Sequence, residues 1–151
     1  MQTTLRALWR QPAALRQAIA RVGEPGPHHV PLRPEALEHV LETLVTNAGD
    51  ALAGERAGWI GIRTERRGER VRIVVSDDGV GMAPEILRRA FDPFFTTKPV
   101  GRGTGLGLPV ARGLVESAGG TLWLESAPGS GTRAVIELPD AASRAGAPTA
   151  P

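Results

Sequence analysis

The sequence predicts a two-layer α/β sandwich, in which helices cover one face of a sheet. One observation is a set of segments that alternate apolar and polar residues, as strands do: 59–64, 70–75, 121–125 and 133–138. Each segment has one apolar side and one side with arginines or other polar groups, so we expect the sheet to bury one face and expose the other. The second observation is a stretch from Pro34 to about Ala53 whose apolar residues recur at spacings of three and four, as in a helix.

Composition limits the classes of protein that fit. The chain has 151 residues, enough for one sizeable core. Its 18 basic residues nearly balance 16 acidic ones and are scattered, so we expect no nucleic-acid partner. The absence of cysteine excludes disulfides and thiolate metal sites. No apolar run approaches the roughly 20 residues that span a bilayer. We therefore expect a cytoplasmic location without direct membrane contact in this segment, whereas a parent protein could be membrane-anchored.

Three regions follow from the placement of prolines, glycines and polar residues. Residues 1–27 are predicted to be a helical segment or linker, with two short helices around Pro12 that reach residue 22. Residues 28–139 form the predicted domain, which opens with a proline- and glycine-rich loop and a short edge strand at His29 to Leu32. Residues 140–151 are small and polar and are predicted to be a disordered tail.

The predicted helix carries a polar stripe beside its apolar face. Thr43, Asn47 and Asp50 are spaced so that they line up along the helix. A solvated surface is the simplest interpretation. However, asparagine is a poor residue for a helix interior, and its amide oxygen suits a hard cation such as Mg²⁺.

A strand runs directly into Asp77, which is followed by Gly79 and Gly81. These residue types are common in simple turns. Alternatively, the carboxylate at the strand end accepts a hydrogen bond from a purine amino group, and the glycines let a flat ring approach the backbone.

The insert at residues 77–120 is long for a connection inside a compact domain, which indicates a functional role. It contains all three phenylalanines of the chain within residues 91–95, either as a small satellite core or as the packed anchor of a hinged lid. A glycine run at 101–107 then leads into an apolar helix, and such a helix start forms an anion site.

Other nucleotide-binding motifs do not fit. A GxGxxG pattern alone is weak, and a dinucleotide fold would need a strand where this chain has TTKPV. The phosphate loop GxxxxGK[ST] is absent, as are the spacing and order of the protein-kinase motifs.

Taken in order, these segments make residues 30–139 resemble the ATP-binding domain of sensor histidine kinases. LEHVLETLVTNAGDAL resembles the family's asparagine box, DDGVGM its DxGxG box, FDPFFTTK its phenylalanine box, GTGLGL its second glycine box, and SGTRAVIELP its closing strand. FxPFFTTK with NAxDA is most similar to the nitrogen-regulatory class. The resemblance implies the Bergerat-type fold shared with gyrase, heat-shock chaperone and mismatch-repair ATPases, a mixed, largely antiparallel sheet with helices on one face.

The resemblance also implies ATP and Mg²⁺ as ligands. Asn47 would coordinate Mg²⁺, and Asp77 would accept the adenine amino group, with a water shared with Thr132. Lys98 and Arg102 would place charge near the phosphates. The implied ATP-binding residues are Asn47, Asp50, Ala51, Asp77, Gly79, Gly81, Met82, Lys98, Arg102, Gly103, Thr104, Gly105, Leu106, Gly107, Leu108 and Thr132.

One position departs from the family. Four residues before Asn47, the ATPase branch carries a water-activating glutamate and histidine kinases commonly carry asparagine, whereas this chain has Thr43. We therefore expect no rapid ATP hydrolysis.

The family's acceptor histidine is not identified in this chain, so no residue is assigned as catalytic. His28 and His29 lie in the proline-rich loop, and His39 is predicted to be a surface residue of the helix. The expected function is phosphoryl transfer to a histidine on a separate dimerisation domain, followed by a response regulator. Two alternatives remain: a free-standing module resembling anti-sigma-factor kinases, and a non-catalytic nucleotide sensor. A chaperone-like ATPase is disfavoured by Thr43.

Overall fold

The computed structural model describes residues 19–22, 30–52, 58–99, 101 and 103–141. In chain order the elements are β1 (Ile19–Val22), α1 (Pro34–Ala51), β2 (Ile60–Arg67), β3 (Arg70–Asp77), α2 (Pro84–Arg89), α3 (Gly107–Ser117), β4 (Thr121–Ser126) and β5 (Thr132–Pro139). The strands form one sheet in the order β1-β2-β3-β5-β4, in which only the β1–β2 pairing is parallel. The predicted mixed, largely antiparallel sheet is thereby confirmed.

The core lies between one face of the sheet and the two longer helices. Cross-strand partners such as Ile62 with Val75, and Ile73 with Ile136, place buried side chains on this inner face. α1 contributes its apolar stripe and α3 contributes Ala111 and Val115. These contacts confirm the two-layer sandwich that strand alternation and helical periodicity predict.

α1 begins and ends close to the predicted limits. Pro34 stands at its first turn, where the missing N–H removes no intrahelical hydrogen bond. Its buried residues are Leu37, Val40, Leu41, Leu44, Val45 and Ala48. The helix closes at Ala51, and Gly54, the expected stop, lies outside the described residues.

The opposite face of the sheet is largely polar, as predicted. Arg72 contacts Glu137 on the neighbouring strand and also lies over the Trp123 ring, 5.8 Å from its centroid. The register pairs Val74 with Val135, and both are buried even though they belong to this outer face. The alternation therefore predicts the facing of the strands correctly but does not reveal this small apolar patch.

Two predictions about the N-terminal region are wrong. Residues 19–22 were expected to end a helix, but they form β1, which pairs with β2 through Ile19 and Ile60. The edge strand expected at His29 to Leu32 is not formed at residues 30–32, and His29 lies outside the described residues. Residues 19–22, and not residues 30–32, pair with the edge of β2. Residues 19–22 are a strand because sheet contacts override the weak helical periodicity of a short segment.

The predicted tail begins with an ordered residue. Asp140 is buried, lies 2.9 Å from the Arg66 guanidinium, and donates its backbone N–H to Glu69 at 2.8 Å. Its inclusion in a disordered segment was therefore wrong, because an ion pair and a hydrogen bond tie it to the β2–β3 turn. Residues 142–151 lie outside the described residues, and the remaining domain limits stay predictions.

Candidate functional site

A cleft of about 850 Å³ opens between α1, the ends of the strands and the segment that precedes α3. Thirteen of the predicted site residues line it: Asn47, Asp50, Ala51, Asp77, Gly81, Met82, Lys98, Gly103, Thr104, Gly105, Gly107, Leu108 and Thr132. Residues from four separate sequence segments are thus brought to one cavity, large enough for a small organic ligand.

Asp77 ends β3 inside this cleft and is 7 % exposed. Its Oδ1 accepts the backbone N–H of Gly79 at 2.9 Å and that of Thr132 at 3.2 Å. Burial raises the pKa of the carboxyl group above the ordinary aspartate value, and the two N–H donors partly oppose that rise. The arrangement holds a carboxylate in a fixed orientation with little water around it, which suits the recognition of a hydrogen-bond donor.

The glycine turn after Asp77 packs tightly against the β4–β5 connection. Gly81 has a φ of 68°, and a Cβ there would lie 1.9 Å from the carbonyl oxygen of Ala127. Ser126 joins the same two loops, since its Oγ accepts the Met82 N–H at 2.9 Å and donates to the Gly131 carbonyl at 2.8 Å. Any side chain at position 81 would therefore push the two loops apart.

The polar stripe of α1 forms one wall of the cleft. Thr43, Asn47 and Asp50 all line it; Thr43 and Asn47 are partly buried, whereas Asp50 is exposed. The ammonium of Lys98 contacts Asn47 Oδ1 at 3.1 Å and also forms an ion pair with the Asp50 carboxylate. An amide oxygen and a carboxylate one turn apart on α1 therefore already surround a cation, and both are ligands that Mg²⁺ accepts.

The phenylalanine segment is anchored by two arginines. The Arg89 guanidinium lies 4.1 Å from the centroid of the Phe95 ring, and that of Arg112 lies 4.9 Å from the Phe91 ring. Phe91 and Phe95 are partly buried, which agrees with a packed anchor. Phe94 differs from them because it is 75 % exposed and has a φ of 67°.

The glycine run lies against the phenylalanine segment. Gly105 accepts the Phe94 N–H at 2.9 Å, and a Cβ on Gly105 would lie 2.4 Å from the Phe94 carbonyl carbon. A Cβ on Gly103 would lie 2.7 Å from Thr96 Oγ1. These close approaches explain the glycines at 103 and 105, and they bring the start of α3 beside the cleft.

Two described residues of the predicted site, Gly79 and Leu106, do not line the cleft. The N–H of Gly79 instead orients Asp77. Leu106 is 37 % exposed, and its N–H donates to Thr104 Oγ1 at 3.3 Å. Arg102 lies outside the described residues.

The cleft also has an apolar lining that was not predicted from the sequence. These side chains come from the strands and from α2: Val75, Ile86, Ala90, Leu124 and Ala134. Their signal was the inward side of each strand, which predicts burial but does not distinguish the floor of a cleft from the core. Ser126 was also missed, because its role depends on a contact 44 residues away in the chain.

His39 is exposed on α1, as predicted, and lies at the rim of the cleft. His28 and His29 lie outside the described residues. Within the described ranges, no group of three or more His, Cys, Asp or Glu residues could hold a metal by itself. No helix among those ranges is long and apolar enough to cross a membrane.

Comparison with protein families gives one match that covers most of the chain. A family model described as histidine kinase-, DNA gyrase B- and HSP90-like ATPase matches residues 33–142. The matched range contains every residue that lines the cleft.

Curated relatives point to sensor kinases. The chain is 42 % identical over 106 residues to the sensor histidine kinase ZraS of Klebsiella oxytoca, which covers 70 % of this chain and 22 % of that protein. It is 41 % identical over 136 residues to the two-component sensor PprA of Pseudomonas aeruginosa, covering 85 % of this chain and 15 % of that protein. The chain therefore spans less than a quarter of the length of these relatives.

Solved structures share the fold over nearly the whole chain. The catalytic domain of histidine kinase ThkA superposes with a TM-score of 0.77 at 29 % identity, covering 93 % of this chain and 92 % of that one. Full-length ShkA in complex with AMPPNP superposes with a TM-score of 0.74 at 26 % identity, covering 91 % of this chain and 29 % of that one.

Proposed function

Because the chain belongs to the histidine kinase-, DNA gyrase B- and HSP90-like ATPase family, we propose that it is the ATP-binding catalytic domain of a two-component sensor histidine kinase. It presents ATP with Mg²⁺ for phosphoryl transfer to a histidine on a separate dimerisation domain. The observation that carries the proposal is the buried Asp77 carboxylate inside a cleft whose other wall already holds a cation at Asn47.

Asp77 and its surroundings suit an adenine ring. Its Oδ1 is occupied by two backbone N–H donors, so the second carboxylate oxygen is the one proposed to accept the adenine amino group. Apolar side chains such as Val75 and Leu124 line the cleft around it, and they would pack against a flat aromatic base. Gly81 and Met82 border this region. Thr132 is proposed to share a water with Asp77.

The other end of the cleft suits the phosphates. Lys98 supplies a positive charge, and the glycine run at 103–107 brings backbone N–H groups and the start of α3 to the same place. Asn47 and Asp50 would hold Mg²⁺, since an amide oxygen and a carboxylate suit this ion. When bound there, the metal would neutralise phosphate charge, which is a large part of what phosphoryl transfer requires. Arg102 is proposed to add a second phosphate charge.

The site is proposed to transfer its phosphoryl group to a protein and not to water. Thr43 lines the cleft at the position where the ATPase branch carries glutamate, and a threonine hydroxyl is a poor general base. Slow hydrolysis would preserve bound ATP until an acceptor histidine arrives.

An exposed apolar surface beside the glycine run is the proposed docking place for the histidine-bearing domain. It consists of Phe94, Leu106 and Val110, which are 75 %, 37 % and 45 % exposed. Phe94 is also held at positive φ, a conformation that costs about 1–3 kcal/mol for a non-glycine residue and occurs often at functional sites. A helix laid on this surface would bring its histidine close to the phosphate end of the cleft. A response regulator would receive the phosphoryl group afterwards, in the cytoplasm.

The experiment is a transfer assay. The chain is mixed with ATP labelled at the γ-phosphate and with separately purified dimerisation domains of the ZraS and PprA relatives. We expect acid-labile label on the histidine of at least one added domain and none on the chain alone. Phe94→Ser should lower transfer while leaving nucleotide affinity unchanged.

Two results would contradict the proposal in different ways. Nucleotide binding without label on any added domain would favour a non-catalytic nucleotide sensor. Rapid release of inorganic phosphate without an acceptor would favour an ATPase, and Thr43 would then be misinterpreted.

A further inference from the structure

Lys98 is the only lysine of the chain, and the other 17 of its 18 lysine and arginine residues are arginines. Its ammonium lies between two side chains of α1, the Asn47 amide oxygen at 3.1 Å and the Asp50 carboxylate. The residue therefore fills the position between the two oxygens that are proposed to hold the metal.

The chemistry of lysine explains why a lysine stands there. An ammonium is a compact point charge that several oxygens can surround, whereas a guanidinium is a broad planar fork that prefers bidentate partners. A hard divalent cation makes the same demand on its neighbours as the ammonium does, namely carboxylate and amide oxygens at short range. The position between Asn47 and Asp50 thus accepts either cation, and the two cannot occupy it together.

Lys98 is also part of the segment that borders the open side of the cleft. Its N–H donates to Thr96 Oγ1 at 3.1 Å, which closes a short turn. A Cβ on Gly103 would lie 3.1 Å from Lys98 Cδ, so the glycine run packs on the lysine side chain. The contacts of Lys98 with Asn47 and Asp50 therefore fasten residues 96–99 to α1.

We infer that Lys98 is a latch that fastens residues 96–99 to α1 while no nucleotide is bound, and that it competes with the metal for Asn47 and Asp50. The inference rests on the proposed function, because the competing metal is the one that accompanies ATP. Asn47 and Asp50 would hold the metal when it is bound, and the ammonium of Lys98, displaced from them, would then be free to contact the phosphates. Release of residues 96–99 from α1 is thereby coupled to metal binding.

The latch is weak enough to open. The side chain of Lys98 is 30 % exposed and that of Asp50 is 51 % exposed, so water screens the ion pair. Ion pairs of this kind change an equilibrium by about 1.5- to fivefold. A latch of that strength biases the segment without preventing nucleotide entry.

Hydrogen exchange in the nucleotide-free chain tests the latch. Lys98→Met and Asp50→Asn should each speed exchange of the amide at residue 98, which is hydrogen-bonded to Thr96 Oγ1, by about 1.5- to fivefold. The double variant should be no faster than the faster single variant, since both substitutions break the same contact. The matched control is Arg133→Met, which removes a surface ion pair with Glu125 of 2.7 Å on the other face of the sheet and should leave this exchange unchanged. Wild-type exchange in Lys98→Met, or additive effects in the double variant, would overturn the latch.

Competition with the metal is measured with Mn²⁺ alone, by the electron paramagnetic resonance signal of the free ion. Lys98→Met should bind Mn²⁺ about 1.5- to fivefold more tightly than the wild type. Adding Asn47→Ala to Lys98→Met should remove the gain. Equal affinities of the wild type and Lys98→Met, or no binding by either protein, would overturn the competition.

These results are independent of whether the protein is a kinase. A chain that fails to bind ATP would sink the proposed function, yet the exchange data would still report the latch. Conversely, tight ATP binding with unchanged exchange in Lys98→Met would leave the proposed function standing and remove the latch.

Discussion

Replacing Asp77 by asparagine separates recognition of the base from folding. The introduced side chain keeps an amide oxygen that can accept the N–H groups of Gly79 and Thr132, as the carboxylate Oδ1 does now. Its NH₂ group then stands where the second carboxylate oxygen was. That group is a donor facing the adenine amino donor, so one hydrogen bond to a charged acceptor is lost.

The size of the loss follows from that hydrogen bond. A hydrogen bond to a charged group contributes about 1.5–3 kcal/mol, and each 1.4 kcal/mol is a factor of about ten in affinity. We therefore expect affinity for AMPPNP to fall by about 10- to 150-fold. The assay is calorimetric titration at neutral pH, with unfolding in denaturant as the test of folding.

The free energy of unfolding should change little in Asp77→Asn, and the sign of the carboxylate's contribution to it follows from the pKa. Burial raises the pKa of Asp77 in the folded chain, so ionised Asp77 lowers the free energy of unfolding. That loss sets in as pH rises from the ordinary aspartate value through the raised folded pKa, and it is complete above it. Asparagine avoids the loss but accepts weaker hydrogen bonds, so we expect a net change within about 1 kcal/mol at neutral pH.

Asp78→Asn is the matched control. It removes the same charge one residue further on, but Asp78 does not line the cleft and its Oδ1 accepts the Trp59 N–H at 2.7 Å. AMPPNP affinity should stay close to the wild-type value. Wild-type affinity in Asp77→Asn, or equal losses in the two variants, would refute the assignment of Asp77 as the acceptor for the base.

Three other predictions address the metal, the pKa and the loops. Asn47→Ala should weaken AMPPNP binding about tenfold when Mg²⁺ is present, because one protein ligand of the metal is lost. The loss should be much smaller in chelator, and equal losses in the two titrations would indicate a structural role of Asn47. Affinity of the wild type should fall as pH is lowered through the raised pKa of Asp77, starting above the ordinary aspartate range, and calorimetry on Asp77→Asn should show no such step. Gly81→Ala should lower the free energy of unfolding by at least about 1 kcal/mol more than Gly68→Ala. Both glycines have positive φ, but a Cβ at Gly81 would lie 1.9 Å from the Ala127 carbonyl oxygen, whereas nothing lies within 4 Å of a Cβ at Gly68. Similar denaturation curves for the two variants would show that the loops around Gly81 can move apart at no cost.

The parts of the site that local sequence could predict are those with a short-range signal. Thr43, Asn47 and Asp50 were predicted to lie in one stripe because helical spacing alone aligns them. Asp77 was placed at a strand end because alternation stops there and glycines follow. The family resemblance then connected these segments, and the structure brings most of the named residues to one cleft.

Other features depend on contacts that no local pattern encodes. β1 has only four residues and exists because it pairs with β2. The ion pair of Lys98 with Asp50 joins residues far apart in sequence, so local sequence could not predict it. α2 has six residues and no buried side chain, which left its helical periodicity too short to recognise, although Pro84 at its start was a visible signal.

The most direct test of the account is calorimetric titration of the wild-type chain with AMPPNP, once with Mg²⁺ and once with chelator. We expect AMPPNP to bind at one site per chain, with micromolar affinity that is stronger when Mg²⁺ is present. No binding under either condition would contradict the account and would mean that the cleft is a scaffold without a nucleotide.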